Sequence, residues 1–406
     1  MTRFVPTAID ELREAVAGAL AAAEPIEIVG GGSKRGLGRP LQTAHTLDLS
    51  PLAGIRDYAP NELVLTAGAA TPLAEIERAL AEQGQMLAFE PPDWRGLLGA
   101  AEEPTLGGIL ACNLAGPRRF KAGAARDHFL GFRAVSGRGD IFKAGGKVVK
   151  NVTGYDLCKL MAGSYGTLAA LEEVTVKVLP RPETAATVLF PGLEPAAAVR
   201  LMGSALSSPH DVSGAAYLPV ATVLPELAPS RGGVVALRVE GPAPSVAFRR
   251  EALIREHAGA GKAELLGDAA SNALWQAIGE VRPLSGAAGE RAVWRISIAP
   301  ARGAELAEAI GAKLDAAWFL DWGGGLLWAA AAEAGDAGAA AIRGAIRGAD
   351  GRGTGHATLV RGSPELRRSV AVFEPQPPAL AALSRRVKEA FDPADILNPG
   401  RIAAGS

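Results

Sequence analysis

The chain has 406 residues, of which 48% are hydrophobic and 21% charged, and a formal net charge of −1. That length predicts two domains, or three, with a sizeable core, and so small a net charge gives no field that would draw the whole molecule to nucleic acid or acidic lipid. Only two cysteines occur, Cys112 and Cys158, without a CxxC spacing, which argues against a disulfide framework, a zinc site or an iron–sulfur cluster carried by this chain alone.

The N-terminus, MTRFVPTAIDELRE, lacks the apolar centre of a signal peptide. The longest apolar stretch, 322–341, is broken by Glu333 and Asp336. The expectation is a cytoplasmic protein with no direct membrane span, any membrane association coming through partners. Residues 7–24 predict an amphipathic helix, with Thr7 and Asp10 placed as a capping pair, Ile9, Leu12, Val16 and Leu20 as the apolar stripe and Pro25 as the stop. A short strand, 26–29, then runs into Gly30–Gly31–Gly32–Ser33–Lys34–Arg35–Gly36–Leu37–Gly38. Helix, strand and glycine loop together follow the pattern of an anion cradle in which bare backbone N–H groups can face phosphate; the same loop also reads as a plain flexible turn. The loop matches neither GxxxxGK[ST] nor GxGxxG, because Arg35 occupies the last glycine position of the latter.

Strands are predicted at 46–49 and 62–67. A helix follows, with Thr71 as N-cap, Pro72 at its first position, Leu73, Ile76 and Leu80 inward and Gly84 at its end. From Glu103 to Pro182 glycines recur between apolar runs at 129–135, 141–142 and 168–179. Glycine permits positive φ and close backbone approach to a ligand, so this segment reads either as a β-rich shell around something flat or phosphorylated or as an ordinary β-domain with many tight turns. Beyond it, strand-like runs at 187–190, 233–239 and 292–298 alternate with helical patterns at 196–206, 246–257, 304–316 and 337–349, an order that predicts a ferredoxin-like α/β sandwich. The 225–233 stretch reads as loop. Trp275, Trp294, Trp318, Trp322 and Trp328 gather in this half and read chiefly as packing. A last helix, 383–391, precedes the closing DPADILNPGR.

GGGSKRGLG, TLGGILACNLAGPRR, ARDHFLG, KNVTGYDLCKLMAGSYGTL and FDPADILNPGRI together resemble the vanillyl-alcohol-oxidase/PCMH family of FAD flavoproteins. Within it, EPPDW, VLPRP, DWGGG and GHATLVRG are most similar to the E-subunit branch found in bacterial glycolate oxidases. The likeness is dense over 26–182, thin over 183–315 and resumes in pieces after that. It implies an α+β fold: a PCMH-type FAD-binding domain of two α+β subdomains over 1–182, a cap domain over 183–385, and a tail, 386–406, returning to the FAD domain. It implies that Gly30, Gly31, Gly32, Ser33 and Lys34 lie on the FAD pyrophosphate. Thr105, Gly107 and Gly108, with Asn113 and Gly116, would stand around the pyrophosphate and ribityl chain. Arg126 and Asp127 would sit beside the flavin, and Gly163, Ser164, Gly166 and Thr167 along the dinucleotide.

The resemblance further implies a complex with a second FAD subunit and an iron–sulfur subunit that oxidises a small 2-hydroxy acid, glycolate, to glyoxylate. Non-covalent FAD is expected, since the first loop has no histidine and Cys112 reads as a small buried thiol. The chain's five histidines are scattered, unlike the histidine-rich metal site of related dehydrogenases. No catalytic residue and no metal ligand is therefore assigned. His356 is the one histidine at a matching place, with Arg361 or Arg401 for a carboxylate. Two further classes fit the same residues: a stand-alone FAD-dependent 2-hydroxy-acid oxidoreductase, and a non-catalytic electron-relay or assembly subunit.

Overall fold

A computed structural model describes residues 2–146, 154–222, 224, 227, 232–284, 291–348 and 353–403. The Lys150–Thr153 part of KNVTGYD, most of the 225–233 loop and Ala349 lie outside them. The chain divides into two compact units, one built from Met1–Ala115, Gly123–Arg181 and Pro375–Ser406, the other from Gly116–Ala122 and Pro182–Glu374. The return to the first unit thus falls at Pro375 rather than 386, and the short Gly116–Ala122 segment groups with the second.

In the first unit, β1 (Thr2–Phe4), β2 (Ile26–Val29) and β3 (His45–Asp48) form a parallel sheet in the order β1–β3–β2. Helix α1 (Ile9–Ala22) buries Leu12, Val16 and Ala19 among Ile26, Leu47, Leu52, Ile396 and Leu397, the face its apolar spacing predicts. Its entry differs from expectation. Thr7, one residue before the Ala8 N-cap, donates from both N and Oγ1 to Glu11 Oε2 at 2.7 and 2.9 Å, so Glu11 and not Asp10 closes the turn. At the far end Ala23 takes left-handed φ and Glu24 N reaches back to Ala19 O at 2.9 Å before Pro25.

A second, antiparallel sheet orders β4 (Ile55–Ala59), β5 (Val64–Gly68), β9 (Ala169–Lys177), β7 (Phe129–Ser136) and β8 (Ile141–Gly145). Helix α2 (Leu73–Glu82) follows β5 and buries Leu73, Ile76 and Leu80. Pro72 and not Thr71 holds its N-cap position, because Thr71 Oγ1 turns back to Gly68 O at 2.6 Å. The two-residue strands β6 (Gln85–Met86) and β10 (Leu179–Pro180) pair antiparallel. Helix α3 (Leu106–Cys112) leads toward β7.

The chain's end completes this unit. Leu397 bridges Ile26 in parallel, Ile26 N donates to Ile396 O at 2.8 Å, and Asn398 N to Ile26 O at 3.0 Å. The C-terminal helix, Pro378–Phe391, sends Lys388 Nζ to Asp392 Oδ2 at 2.6 Å, Thr167 O at 2.9 Å and Leu397 O at 3.1 Å. A buried ammonium needs such a full set of acceptors.

The second unit carries, among the described residues, one eight-stranded sheet ordered β14–β11–β13–β12–β16–β17–β15–β18. Its first half contains β11 (Thr184–Leu193), α4 (Pro195–Leu206), β12 (Gly214–Leu218), β13 (Gly233–Gly241), α5 (Ala243–Glu256) and β14 (Glu264–Leu266). After α6 (Asp268–Gly279), the second half repeats the pattern with β15 (Arg291–Ile298), α7 (Gly303–Leu314), β16 (Ala317–Asp321), β17 (Leu326–Ala332), α8 (Ala339–Arg347) and β18 (Gly355–Arg361). Each half is a βαββαβ ferredoxin-like motif. They join edge to edge through β12 and β16, at Tyr217 and Leu320. The core on the helix-covered face gathers Val188, Phe190, Met202, Leu237, Trp294, Ile296, Ile342 and Leu359. Trp275 of α6 instead reaches the other face, its Nε1 donating to Thr187 Oγ1 at 2.9 Å.

Candidate cofactor site

The first unit opens a cleft at the C-terminal end of β2, lined by Gly30–Lys34, Gly107 and Gly108. Its walls are backbone-rich because side chains have no room. A Cβ on Gly31 would stand 2.1 Å from Glu103 O, one on Gly30 2.9 Å from Thr105 Oγ1, and one on Gly107 2.6 Å from Ala69 O. Gly32 has φ +98°, where glycine is favoured. Thr105 caps α3, its Oγ1 accepting from Gly108 N at 3.3 Å.

Gly30, Gly31, Gly32, Ser33, Lys34, Thr105, Gly107, Gly108 and Gly166 all line this cleft. Residues from three distant stretches are therefore brought together. Asn113, Gly163, Ser164 and Thr167 stand behind the lining: Asn113 ends α3 in left-handed φ and accepts from Arg126 N at 3.1 Å, while Thr167 Oγ1 donates to Ser164 O at 2.7 Å. Asp127 is occupied in its own turn, accepting from Ala124 N at 2.9 Å, and pairs loosely with Arg126 at 3.7 Å. Arg126 and Asp127 are not among the lining residues, and Gly116 belongs to the other unit.

Two lining residues from the chain's end have firm structural work. Asn398 accepts from Ile28 N and donates to Tyr165 O, both at 2.8 Å. Arg401 Nη1 reaches the carbonyls of Arg35 at 3.1 Å and Leu37 at 3.2 Å, and its Nη2 reaches Glu27 Oε1 at 3.1 Å. Arg401 thus clamps the glycine loop and is not placed to receive a substrate carboxylate. Arg361 likewise donates to Arg291 O at 3.1 Å. Spacing alone could not reveal these roles; the NPGR ending was the one visible signal.

Lys34 supplies the cleft's charge. Desolvation pushes its ammonium down to about 8, against the smaller opposing fields of Cys112 and Asp93. Desolvation raises the neighbouring Cys112 thiol to about 11, so at neutral pH it is a thiol and a poor nucleophile. His128 is buried against Phe89, with ring centroids 5.3 Å apart.

The fit to a dinucleotide is good. Glycines that admit no Cβ wall the cleft on two sides, a lysine stands among them, and Leu49, Ala69, Ala70 and Leu171 supply apolar lining. Fold and site define an FAD-binding oxidoreductase of PCMH type. Residues 3–145 match the FAD binding domain model and residues 328–402 that of the C-terminal domain of FAD linked oxidases. The chain is 36% identical over 394 residues to glycolate oxidase subunit GlcE of Escherichia coli, covering 97% of each. It is 40% identical over 115 residues to glycolate oxidase subunit GlcD of Bacillus subtilis, 28% of this chain and 23% of that one. Among solved structures, 4-ethylphenol oxidase from Gulosibacter chungangensis aligns with a TM-score of 0.72 at 14% identity, over 99% of this chain and 88% of that one, a likeness of fold. This chain belongs to the FAD-linked oxidase family that includes subunit GlcE.

Proposed function

We propose that this chain is the FAD-binding subunit of a glycolate-oxidising complex, acting with a second flavoprotein subunit and an iron–sulfur subunit. The glycine-walled cleft carries the reading. Gly30–Lys34 and Thr105–Gly108 would hold the diphosphate through backbone groups and the Lys34 ammonium. Asn113, Gly163, Ser164 and Thr167 would brace that lining, with Arg126 and Asp127 outside it. The cofactor would be held without a covalent link, for Cys112 is protonated and the cleft lining contains no histidine. FAD, when bound, supplies a two-electron acceptor that can pass electrons on singly. The chain's own part is to bind and orient it and to keep water from its apolar side.

A second reading, an electron-relay subunit that does not oxidise substrate itself, draws on the histidines. His128 packs on Phe89, and His210 Nε2 meets Glu256 Oε1 at 2.8 Å, positions that serve the fold. The test begins with the absorption spectrum of the purified chain, followed by acid precipitation. A flavin spectrum with pigment released to the supernatant is expected. A colourless chain that FAD cannot reconstitute would overturn the proposal, and pigment retained in the pellet would overturn the non-covalent link. Glycolate turnover by the flavin-loaded chain with an artificial acceptor then separates the two readings.

A further inference from the structure

We infer that Lys388 is a positioning residue for the cofactor: from behind the cleft its ammonium fixes the 165–167 wall through the Thr167 carbonyl, so that docking of the C-terminal helix and binding of FAD are coupled. The inference rests on the reading of the cleft as an FAD site.

The C-terminal helix buries an unexpected side chain. Of the 14 residues of Pro378–Phe391 only Lys388 is buried, while Leu380 and Leu383 are each 47% exposed. Phe391, in the last turn, lies on Phe142 with ring centroids 5.8 Å apart. Apolar side chains left in water do little to hold a helix down, and lysine is among the residues least often buried. The main hold on this helix is therefore the set of acceptors around one ammonium. Lys388 Nζ reaches Asp392 Oδ2 at 2.6 Å, Thr167 O at 2.9 Å, Asp395 Oδ1 at 3.0 Å and Leu397 O at 3.1 Å.

Thr167 closes a turn that walls the cleft. Tyr165 and Gly166, both lining residues, hold φ of +54° and +71° in succession. A bulky residue keeps left-handed φ only where its surroundings enforce it. Within the turn Thr167 N and Oγ1 both donate to Ser164 O, at 3.0 and 2.7 Å, and Tyr165 N donates to Ala111 O at 2.9 Å. From the chain's end, Asn398 Nδ2 holds Tyr165 O and Lys388 Nζ holds Thr167 O.

The same ion pair sets the tail. Asp392, 1% exposed, accepts from Ile396 N at 3.1 Å and from Leu397 N at 2.8 Å. Leu397 precedes Asn398, which lines the cleft. Lys388 thus joins two walls, the 165–167 turn and the tail, without lining the cleft itself. Charge-assisted hydrogen bonds are the strong ones, so a break at this ammonium releases both walls together. FAD that binds the docked arrangement shifts the chain towards it by mass action.

The first arm of the test uses the parent. The full chain is treated with acetic anhydride, with and without FAD at a hundredfold excess over Kd, and acetylation of Lys388 is read by peptide mass spectrometry against the exposed Lys143. FAD should slow acetylation of Lys388 by about tenfold or more and leave Lys143 unchanged; an unchanged rate at Lys388 overturns the inference. The second arm compares variants. Lys388→Met strands the buried Asp392 carboxylate and threatens the fold itself, so Lys388→Met/Asp392→Asn, which removes both charges, is the variant titrated with FAD. It should bind about tenfold more weakly and show an altered visible circular dichroism of the bound flavin. Arg138→Gln is the control: Arg138 Nε ties the same helix at Ala390 O, 2.9 Å away, and no cleft residue accepts from its side chain. Parent affinity in the folded double variant, or an equal loss in Arg138→Gln, overturns the inference. Should the double variant not fold, the acetylation result decides. A parent chain that takes up no FAD removes the proposed function and this inference with it, whereas FAD uptake without protection of Lys388 removes the inference alone.

Discussion

At the scale of the residue, the cleft turns on the absence of side chains. Gly31→Ala would drive a Cβ to 2.1 Å from a backbone carbonyl, where no side-chain rotation relieves the clash. We expect loss of most bound flavin, measured as flavin per chain after purification. Gly18→Ala is the matched control: it lies within α1 with nothing inside 4 Å of the added carbon, and should stabilise by about 1 kcal/mol through helix propensity. Lys34 gives a pH dependence. Its folded-state value of about 8 lies below the ordinary 10.5, so burial of the ammonium opposes folding below about pH 8 and that opposition fades as pH rises towards 10.5. Phosphate binding needs the charged form and runs the other way. FAD affinity should fall as pH rises through about 8, and calorimetry in buffers of different ionisation enthalpy should show proton uptake on binding near pH 8; Lys34→Met should remove both effects.

At the scale of the element, what decides the site is how a short tail is spliced into a sheet edge. Asn398→Ala would strand Ile28 N and Tyr165 O. A loss of about 1–3 kcal/mol is expected for two part-buried groups left unpaired, read from urea unfolding, with looser flavin binding alongside. Much of the element pattern was legible. The apolar stripe of α1 and the Leu73–Ile76–Leu80 face of α2 are set by local periodicity, and both are buried. The caps were less so. Thr7 and Thr71 took partners decided by neighbouring chain, Glu11 Oε2 and Gly68 O, which residue type alone does not specify.

At the scale of the whole molecule, the cofactor cleft draws on residues 28–37, 105–112, 165–171 and 398–401. FAD binding should therefore raise amide protection in these separated segments together, by about 2.7 kcal/mol at a hundredfold excess over Kd. Hydrogen exchange with and without FAD checks this, and protection confined to the 30–34 loop would count against the assembled cleft. The duplicated ferredoxin-like halves were only partly readable, because helix and strand alternation shows a motif without showing that two copies share one sheet.

The amino-acid sequence by itself determined the glycine cradle, the α+β class and the helix faces, since each depends on backbone freedom or periodicity within a few residues. Only the tertiary structure decided that Arg401 is a clamp, for its partners Leu37 and Glu27 stand 364 and 374 positions away, and chain geometry rather than residue type brings them together.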